Sequence, residues 1–496
     1  MAGKIPHYPM YINGQFVEAA SGETTQSLCP GDQKVLATFP RGNQKDVQEA
    51  AAAAQLAFQS TDWGSVRHSV ERGRLLREVG KNIRERLDEL AELESLDTGK
   101  TITETNLIDV HMAADTFEFF ADLATQIEGT VVPVPAEVLD FTLREPLGVC
   151  GAIAAWNFPI MFCAWKIAPA LATGNTMVYK PAELTSLSAL RLAKIFQEVG
   201  LPPGTINIVT GSGSTVGQAI AQHPGIAKVS FTGSTEVGRN ILNAAANNLK
   251  RTTLELGGKS PNIIFDDADL DRAVSGALTA IFYNGGECCI AGSRLLLQEK
   301  IYDKFVDQLV ERTKKITLGH PLDWDARMGP MITAEHRKSV LEYIEWGKKN
   351  GMKLLTGGGI PKDPTLKNGN FIEPTIFAAD NNNLKLCQEE IFGPVLVVLK
   401  FKEDEEAIRL ANDTPYGLAS AVWTNDIKRA FRVAKRINAG QVWINNYMML
   451  NPWMPHGGFK QSGYGKDLSK FALEEYTRLK NIYVDLSEDE YLVLFD

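Results

Sequence analysis

The hydrophobic pattern near the start of the chain has the period of a helix. Between Val70 and Leu93, apolar residues recur every three or four positions with Arg and Glu between them, which predicts a helix with one packed face. That face consists of Leu75, Leu76, Val79, Ile83, Leu87 and Leu90. We assign this stripe to packing rather than to chemistry.

The pattern changes to short apolar runs between residues 149 and 250. These runs are VCGAIAAW (149–156), MVY (177–179), INIV (206–209) and KVSFT (228–232). Helical segments such as 187–199 separate them. Strands that alternate with helices predict a parallel, doubly wound sheet. Ligands of such sheets bind beyond the carboxyl ends of the strands, where this chain carries WNFP, KPAE, TGSGS and TGSTEVG.

A second region, from about 258 to 460, repeats this mixture. Its strand-like runs are PNIIF, PVLVVLKF, SAVWT and QVWINN, and its clearest helical segment is IYDKFVDQLVERTKKI. We therefore expect another α/β domain here.

Composition narrows the class of protein. A chain of 496 residues is too long for one hydrophobic core, so we expect two or three domains. The net charge of -9 arises from mixed signs along the chain, which disfavours a nucleic-acid surface. The start lacks the pattern of a secretory signal, and no segment approaches the roughly 18 uninterrupted apolar residues of a membrane span. We expect a cytoplasmic protein with no nucleic-acid or membrane partner.

The cysteines show neither CxxC pairs nor regular spacing. Neither a zinc site nor a disulfide framework is indicated, so we predict reduced thiols and no bound metal. The six cysteines are Cys29, Cys150, Cys163, Cys288, Cys289 and Cys387.

Two glycine clusters follow predicted strands and precede predicted helices. They are TGSGSTVG (210–217) and FTGSTEVG (231–238), and neither has the spaced GxGxxG fingerprint. Backbone N–H groups at a helix N-terminus can hold a phosphate, and glycine allows a cofactor to approach the main chain. When either cluster is considered alone, a structural turn is the favoured explanation, because glycine-rich turns between a strand and a helix are common.

YKPAE (179–183) places Lys180 and Glu183 just beyond a predicted strand, with Pro181 ending it. A carboxylate here can accept from both hydroxyls of a ribose and would repel a 2′-phosphate, which favours NAD over NADP. The alternative is an exposed Lys–Glu pair without a ligand.

LELGGKSPN (254–262) places Glu255 between two leucines. Apolar surroundings disfavour the ionised carboxylate, so they raise its pKa towards that of a useful general base. The alternative is a buried acid paired with an Arg or Lys.

FYNGGECCIAGSR (282–294) contains two adjacent cysteines among small residues, which leave a thiol accessible. A positive group or a helix N-terminus nearby would favour the thiolate and hence nucleophilic chemistry. Most free cysteines are instead small buried hydrophobes, and the other four fit that description.

Taken together and in order, these segments resemble the aldehyde dehydrogenase superfamily. The resemblance spans nearly the full length, and its nearest branch is the betaine aldehyde and aminoaldehyde dehydrogenases. The motifs that carry it are AWNFP, WKIAPALATGN, KPAE, FTGST, LELGGKSP, GECCIAGSR, EEIFGP and GGFKQSGYGKD.

The resemblance implies a catalytic role for five residues. Cys289 matches the nucleophile, Glu255 the general base and Asn157 the side-chain amide of the oxyanion hole. Lys166 and Asp467 match a pair proposed as a proton relay in the betaine aldehyde branch. The implied reaction oxidises an aldehyde to a carboxylic acid through a cysteine thiohemiacetal and thioester, with NAD as cofactor.

The resemblance also implies a cofactor site and a substrate tunnel. The cofactor positions fall on Ala155, Trp156, Lys180, Pro181, Ala182, Glu183, Gly213, Gly217, Phe231, Thr232, Gly233, Ser234, Leu256, Glu390 and Phe392. The substrate positions fall on Phe158, Phe162, Trp165, Tyr283, Cys288, Ile290, Leu450 and His456.

Two positions depart from the family pattern. Glu287 stands where the family usually has glutamine, and its charge would raise the pKa of a nearby thiol, so we expect it to point away. Asp467 stands where glutamate is common and is one methylene shorter, which makes the relay doubtful.

The aromatic tunnel residues leave the substrate class open. Aromatic faces attract ammonium groups with roughly 0.5 to 2 kcal/mol per contact, which favours an amino- or trimethylammonio-aldehyde. His111 and Met112 stand where the aminoaldehyde branch often has acids, and the same tunnel suits aliphatic, aromatic or retinoid aldehydes. A CoA-acylating relative would have less need of Glu255, and a non-catalytic, crystallin-like protein would not need Cys289, Glu255 and Asn157 together.

The family fold implies three structural parts and a homodimer or homotetramer. The NAD-binding domain would comprise 1–127 and 147–257, and the catalytic domain 258–473. The β oligomerisation element would comprise 128–146 and 474–496, through which subunits pair by sheet extension.

Overall fold

A computed structural model describes residues 5–135 and 137–488. The strands in these ranges are β1 (Met10–Ile12), β2 (Gln15–Val17), β3 (Thr24–Leu28), β4 (Val35–Pro40), β5 (Val131–Val132), β6 (Val138–Pro146), β7 (Val149–Ile153), β8 (Thr176–Lys180), β9 (Ile206–Ile208), β10 (Lys228–Thr232), β11 (Arg251–Glu255), β12 (Pro261–Ile264), β13 (Arg294–Gln298), β14 (Lys353–Thr356), β15 (Thr375–Ala378), β16 (Val395–Phe401), β17 (Ala419–Trp423), β18 (Gln441–Ile444), β19 (Gly463–Tyr464) and β20 (Thr477–Asp485).

Short 3₁₀ and π turns connect several of the helices. The α-helices are α1 (Gln44–Ser60), α2 (Ser69–Glu85), α3 (Leu87–Thr98), α4 (Ile102–Glu104), α5 (Val110–Leu123), α6 (Pro159–Ala172), α7 (Leu187–Glu198), α8 (Gln218–Gln222), α9 (Thr235–Ala245), α10 (Leu270–Phe282), α11 (Tyr302–Thr313), α12 (Ala334–Lys349), α13 (Lys385–Gln388), α14 (Asp404–Asn412), α15 (Ile427–Ala434) and α16 (Ala472–Glu475).

The first large sheet has the order β19-β11-β10-β7-β8-β9-β1-β2. Its central strands, from β11 to β9, are parallel, and the four runs predicted between 149 and 232 all lie in it. The outer strands β19, β1 and β2 add antiparallel edges. The doubly wound α/β prediction is therefore confirmed for this sheet.

The second large sheet has the order β14-β15-β16-β13-β12-β17-β18. All of its neighbouring pairs are parallel except β14 with β15. The runs predicted in the second region form β12, β16, β17 and β18, so the prediction of a second α/β unit is also confirmed.

A third sheet, the ribbon β20-β6-β5, joins two distant parts of the chain. Strands β6 and β20 pair antiparallel along nine residues each, from Val138 with Asp485 to Pro146 with Thr477. β3 and β4 form a separate antiparallel pair near the start of the chain.

The single helix predicted from Val70 to Leu93 is wrong in one respect, because the structure divides it into α2 and α3. Arg86 between them has φ −114° and ψ 25°, and its N–H bonds back to Ile83 O. Its guanidinium binds Asn82 and Glu198, which holds the chain at the turn. The apolar stripe continues across the break, so hydrophobic period alone cannot reveal it.

Helix α6 forms the centre of the largest core cluster and is buried along its whole length. Pro159 occupies its first turn, where the missing N–H costs nothing. Because α6 starts two residues after Asn157, it carries Phe162, Trp165 and Lys166 towards the site described below. Within 5–135 and 137–488, no helix combines the length and the apolar character needed to cross a membrane.

Candidate active site

A cavity of about 1070 Å³ lies beyond the carboxyl ends of the central strands of the first sheet. Cys289, Asn157 and Glu255 all line it. Of the fifteen predicted cofactor positions, only Pro181 is absent from its lining, whereas Lys166, Asp467 and the predicted tunnel residues lie outside it. The edge predicted from strand polarity is therefore the edge where the candidate residues meet.

Cys289 follows helix α10 and a tight 3₁₀ turn, Tyr283–Gly286. Gly285 and Gly286 have φ of +58° and +75°, and a Cβ on Gly286 would lie 2.2 Å from Gly393 O. Glycine is therefore needed for the turn that directs Cys289 into the cavity. Cys289 is partly exposed there, whereas Cys288 is buried.

The thiol of Cys289 is held in its protonated form. The neighbouring Cys288 thiol and the surrounding protein raise the pKa of Cys289 well above its usual value, and the nearby His456 ring acts in the opposite direction. A thiolate therefore requires a group that removes the proton.

Asn157 is fixed by the cysteine loop. Its Nδ2 donates to Glu287 O at 2.9 Å, and Asn284 Nδ2 donates to Asn157 O at 3.1 Å. An amide nitrogen carries two hydrogens, so one remains for an oxyanion. These contacts hold the amide beside Cys289 before any substrate binds.

Glu255 ends β11 and is buried. Burial, followed by the charge of Asp467, raises the pKa of Glu255 well above its usual value, as predicted. Among the described residues, neither carboxylate oxygen has a hydrogen-bond partner and no Lys or Arg forms an ion pair with it. The nearest basic atom is Nε2 of His456, 3.6 Å from Oε2. The alternative of a structural Glu–Lys or Glu–Arg pair is therefore not supported.

Lys166 and Asp467 form a buried pair. Lys166 Nζ donates to Asp467 Oδ2 and to Ser230 Oγ, both at 3.0 Å. The shorter side chain of Asp467 therefore reaches the lysine, and the relay role stays a prediction.

The carboxyl of Glu287 points away from Cys289, as predicted. Its Oε1 accepts from Ile332 N at 3.0 Å and lies 3.6 Å from His336 Nε2. Cys288, rather than Glu287, is the neighbour that raises the pKa of the Cys289 thiol.

Lys180 and Glu183 do not form the exposed pair that was the alternative prediction. Lys180 is buried, and its Nζ donates to Pro181 O at 2.8 Å. Burial lowers the pKa of Lys180 to about 8. Glu183 instead accepts from Arg41 Nε at 3.1 Å. The acid thus lies at the cavity wall beside Arg41, whose position there was not predicted.

The two glycine clusters lead into helical turns at the cavity wall. After β10, Ser234 caps α9 by accepting from Val237 N at 3.3 Å. After β9, a π turn, Gly213–Gly217, precedes α8, and a Cβ on Gly213 would meet no atom within 4 Å. The open space beside Gly213 and the backbone N–H groups of the first turn of α9 are features that suit a diphosphate.

Glu390 and Phe392 line the opposite wall. Glu390 Oε1 accepts from Gly258 N at 2.8 Å, and burial raises its pKa to about 7. The Phe392 ring meets that of Trp156 edge to face at 5.3 Å. His336 donates from Nε2 to Phe392 O at 2.6 Å. Sequence reasoning missed His336, because only the fold brings it next to positions 156 and 392.

The predicted tunnel residues form a chain of rings beside α6. Phe158 stacks on Tyr283 at 5.9 Å, and neighbouring rings connect Phe158 to Phe162, Phe162 to Trp165 and Trp165 to His456. Lys100 Nζ lies 3.7 Å from the centre of the Phe158 ring, so the lysine occupies one face of this ring.

The remaining substrate positions do not join this chain of rings by any aromatic or hydrogen-bond contact among the described residues. Ile290 accepts through its backbone oxygen from Tyr447 Oη at 2.8 Å. Leu450 is partly buried against the main core cluster, and Cys288 lies within that cluster.

Comparison with known proteins agrees with this geometry. The family model described as "Aldehyde dehydrogenase family" matches residues 16–482. The chain is 46% identical over 476 residues to a betaine aldehyde dehydrogenase of Bacillus subtilis, covering 96% of each chain. It is 47% identical over 480 residues to an aldehyde dehydrogenase of Emericella nidulans, covering 97% of this chain and 95% of that one.

Among solved structures, a point mutant of betaine aldehyde dehydrogenase from Staphylococcus aureus is 42% identical and superposes with a TM-score of 0.96. The match covers 99% of each chain, and that structure is a complex with NAD+ and a BME-modified cysteine. The family match, the identities and the shared fold together establish that this chain belongs to the aldehyde dehydrogenase family.

Proposed function

We propose that this protein oxidises an aldehyde to a carboxylic acid with NAD, using Cys289 as the nucleophile. The observation that carries the proposal is the convergence of Cys289, Asn157 and Glu255 on one cavity. A nucleophile, an oxyanion donor and a base are the groups that acyl chemistry on an aldehyde requires.

The proposed reaction has two parts, and different residues act in each. In the first, Cys289 sulfur attacks the aldehyde carbon, and the Asn157 amide and the Cys289 backbone N–H stabilise the oxyanion. NAD, when bound, accepts the hydride from the substrate carbon. In the second, Glu255 removes a proton from the water that attacks the thioester. Lys166 and Asp467 would pass this proton onward, a role that their buried pair supports.

The cavity wall fits NAD. Its volume, the helix N-terminus at α9 and the space beside Gly213 suit the diphosphate, and Glu183 suits a ribose. Glu390 and Phe392 would hold the nicotinamide end. NAD+ is also the nucleotide bound in the Staphylococcus aureus relative.

For the substrate, we propose an amino- or trimethylammonio-aldehyde. The chain of rings from Tyr283 to His456 and the likeness to betaine aldehyde dehydrogenases support this class. One observation favours a neutral aliphatic, aromatic or retinoid aldehyde instead: the ammonium of Lys100, which is paired with Asp109, already occupies a face of Phe158 and closes that face to a substrate cation.

The proposed domains follow the sheets closely. Residues 1–127 and 147–257 would form the NAD-binding domain around the first sheet, and 258–473 the catalytic domain around the second. Strand β19 from the latter segment also completes the edge of the first sheet beside β11. The ribbon would form the oligomerisation element of 128–146 and 474–496 in a homodimer or homotetramer, although residues 136 and 489–496 lie outside the described residues.

The test is NADH formation at 340 nm with betaine aldehyde, 4-aminobutyraldehyde, hexanal, benzaldehyde and retinal. We expect turnover with at least one aldehyde, and faster turnover with the first two. Cys289→Ala should abolish it, whereas Cys288→Ala, which changes the adjacent buried thiol, should retain it. No turnover with any aldehyde, or the reverse behaviour of the two variants, would contradict the proposal.

A further inference from the structure

Three side chains of metal-binding types meet at a place away from the cavity: those of Cys29, Asp32 and His320. Cys29 Sγ lies 3.8 Å from His320 Nε2, and that nitrogen lies 3.9 Å from Asp32 Oδ2. One ligand atom from each residue lies within 4.8 Å of the other two. All three side chains lie outside the lining of the cavity that contains Cys289. The cluster is therefore separate from the proposed active site.

Two distant parts of the chain form this cluster. Cys29 directly follows β3, and the turn to β4 is held by Gln33 N, which donates to Cys29 O at 2.8 Å. His320 comes from the loop after α11. A Cβ on Gly31 would lie 2.6 Å from Pro321 Cδ and 3.2 Å from His320 Cδ2, so the turn packs directly on that loop. Cys29 and His320 are 291 positions apart in the sequence, which is why cysteine spacing predicted no bound metal.

The donor atoms and their spacing suit Zn²⁺, which binds thiolate sulfur, imidazole nitrogen and carboxylate oxygen. A tetrahedral zinc ion with bonds of about 2.0 to 2.3 Å separates its ligand atoms by roughly 3.3 to 3.6 Å. The Sγ–Nε2 and Nε2–Oδ2 distances exceed this spacing by only about 0.3 to 0.6 Å. The side chains of Asp32 and His320 are 23% and 41% exposed, so they can rotate towards the buried sulfur, and water can reach the fourth position.

Three features of the cluster compete with a metal and lower its affinity. Lys34 Nζ lies 2.6 Å from Asp32 Oδ2, but the lysine side chain is 80% exposed and can turn into water. Leu322 N donates to His320 Nδ1 at 3.3 Å, and this long bond is lost when a metal at Nε2 leaves the ring hydrogen on Nδ1. Burial raises the pKa of the Cys29 thiol to about 11, so the metal must also displace the thiol proton. The contact of Lys34 is the one that a substitution can remove without changing a metal ligand.

We propose that Cys29, Asp32 and His320 bind one Zn²⁺ ion, with water as the fourth ligand. The S–H bond of Cys29 breaks, its proton passes to water and its electron pair binds the ion, so nothing is oxidised or reduced. The ion connects the turn after β3 to the loop after α11. Because an ion that binds only the folded chain stabilises it, this site stabilises the fold and takes no part in aldehyde oxidation.

The test measures Zn²⁺ bound to the untagged, full-length protein after treatment with EDTA and equilibrium dialysis against Zn²⁺, with the metal counted by mass spectrometry. We expect one Zn²⁺ ion per subunit. Cys29→Ser and His320→Gln should each weaken binding by about a hundredfold or more, because loss of an outer hydrogen bond alone weakens metal sites by about 10- to 100-fold. Cys387→Ser is the matched control, since it changes another buried free thiol and should bind Zn²⁺ as the unchanged protein does.

Three further measurements separate a metal site from a cluster held by hydrogen bonds alone. Lys34→Ala removes the cation that competes for Asp32 and should tighten Zn²⁺ binding by about two- to fivefold. Co²⁺ in place of Zn²⁺ should give a thiolate-to-metal absorption band in the near ultraviolet, absent in Cys29→Ser and kept in Cys289→Ala. Zn²⁺ should raise the thermal unfolding midpoint of the unchanged protein but not that of Cys29→Ser.

Zn²⁺ binding no stronger in the unchanged protein than in Cys29→Ser would overturn the inference. A Co²⁺ band that persists in Cys29→Ser, or that disappears in Cys289→Ala, would place the metal elsewhere and overturn it as well. His320→Gln changes a partly exposed side chain, so it keeps the fold even if the buried Cys29→Ser change does not, and full zinc binding in it would equally contradict the site. None of these measurements uses an aldehyde, so their outcome is independent of the proposed function.

Discussion

Glu255 is a buried acid whose two oxygens have no hydrogen-bond partner in the described part of the chain. Leaving such a group unsatisfied costs roughly 1–3 kcal/mol of stability, so the position requires an explanation other than packing. A water or a transferred proton supplies the missing partner during the proposed reaction. The residue is thus placed where stability is lost and reactivity is gained.

We expect Glu255→Gln to give a burst of about one NADH per active site followed by turnover slower by roughly 10² to 10⁴. Formation of the thioester does not need the base, whereas its hydrolysis does. Stopped-flow absorbance at 340 nm measures both phases.

Glu287→Gln is the matched control for that experiment. Glu287 is also a buried acid of the site, but its carboxyl binds Ile332 N and points away from the thiol. We expect it to keep steady-state turnover without a burst. Unchanged steady-state rates in Glu255→Gln would refute the assignment of the base.

At the scale of elements, we expect cofactor preference to depend on the residues just beyond the end of β8. Glu183 lies there and binds Arg41, which comes from the segment between β4 and α1. In Glu183→Ser, the repulsion of a 2′-phosphate is removed and Arg41 becomes free to bind it. We expect kcat/KM with NADP to rise at least tenfold relative to NAD, measured by initial rates with each nucleotide.

The double variant Arg41→Ala with Glu183→Ser tests that explanation. Without the guanidinium, most of the gain with NADP should disappear. An equal gain in the double variant would mean that Arg41 does not contact the phosphate.

The turn before Cys289 is the second element with a testable requirement. Gly286→Ala places a Cβ where Gly393 O stands, and Gly22→Ala is a matched change at φ +73° with no atom within 4 Å. We expect Gly22→Ala to cost about 1 kcal/mol and Gly286→Ala to cost at least about 2 kcal/mol more. Urea denaturation measures both, and turnover should fall only in Gly286→Ala. Equal costs would show that the turn tolerates a side chain.

Hydrophobic periodicity predicted those strands and helices that are determined by the local sequence. Four strands of each large sheet, β7 to β10 in the first and β12, β16, β17 and β18 in the second, were visible as short apolar runs, and α7 as a helical segment between two of them. The break between α2 and α3 at Arg86 was not visible, since neither Gly nor Pro marks it. Short N-terminal strands such as β1 and β2 escaped prediction because three residues carry too little pattern.

The residues of the candidate site also divide into those that the local sequence reveals and those that only the fold brings together. Cys289, Glu255 and Asn157 could be named because they lie in unusual local sequences that resemble a family. Arg41 and His336 could not, because their importance arises from contacts across 142 and 56 positions of sequence. The His456–Glu255 approach likewise depends on the packing of separate strands and loops.

At the scale of the whole molecule, the ribbon leaves an apolar face uncovered in one subunit. Leu139, Leu143 and Val484 share this face and are 43%, 42% and 36% exposed. Strands with such exposure are usually covered by a partner. This supports the proposal that subunits associate through the ribbon.

We expect the unchanged protein to sediment as a dimer or tetramer and Leu139→Glu with Leu143→Glu to shift it towards the monomer, because carboxylates would be buried at the interface. Ile360→Glu, at an exposed apolar residue of a distant loop, should leave the oligomer intact. Sedimentation velocity gives the result. An unchanged oligomer in the double variant would exclude this face as the interface.

The ribbon also joins distant parts of the chain, since Arg478 on β20 binds Glu145 on β6 across 333 positions. Closing so long a loop costs chain entropy before any contact repays it, so these strands should pair after both large sheets have folded. Pulsed hydrogen exchange during refolding should protect β20 amides later than those of β7 and β13; simultaneous protection would contradict this order. If subunits associate through the ribbon as proposed, late closure means that its exposed apolar face is completed only when a second folded copy can cover it, which shortens the period in which refolding chains can aggregate.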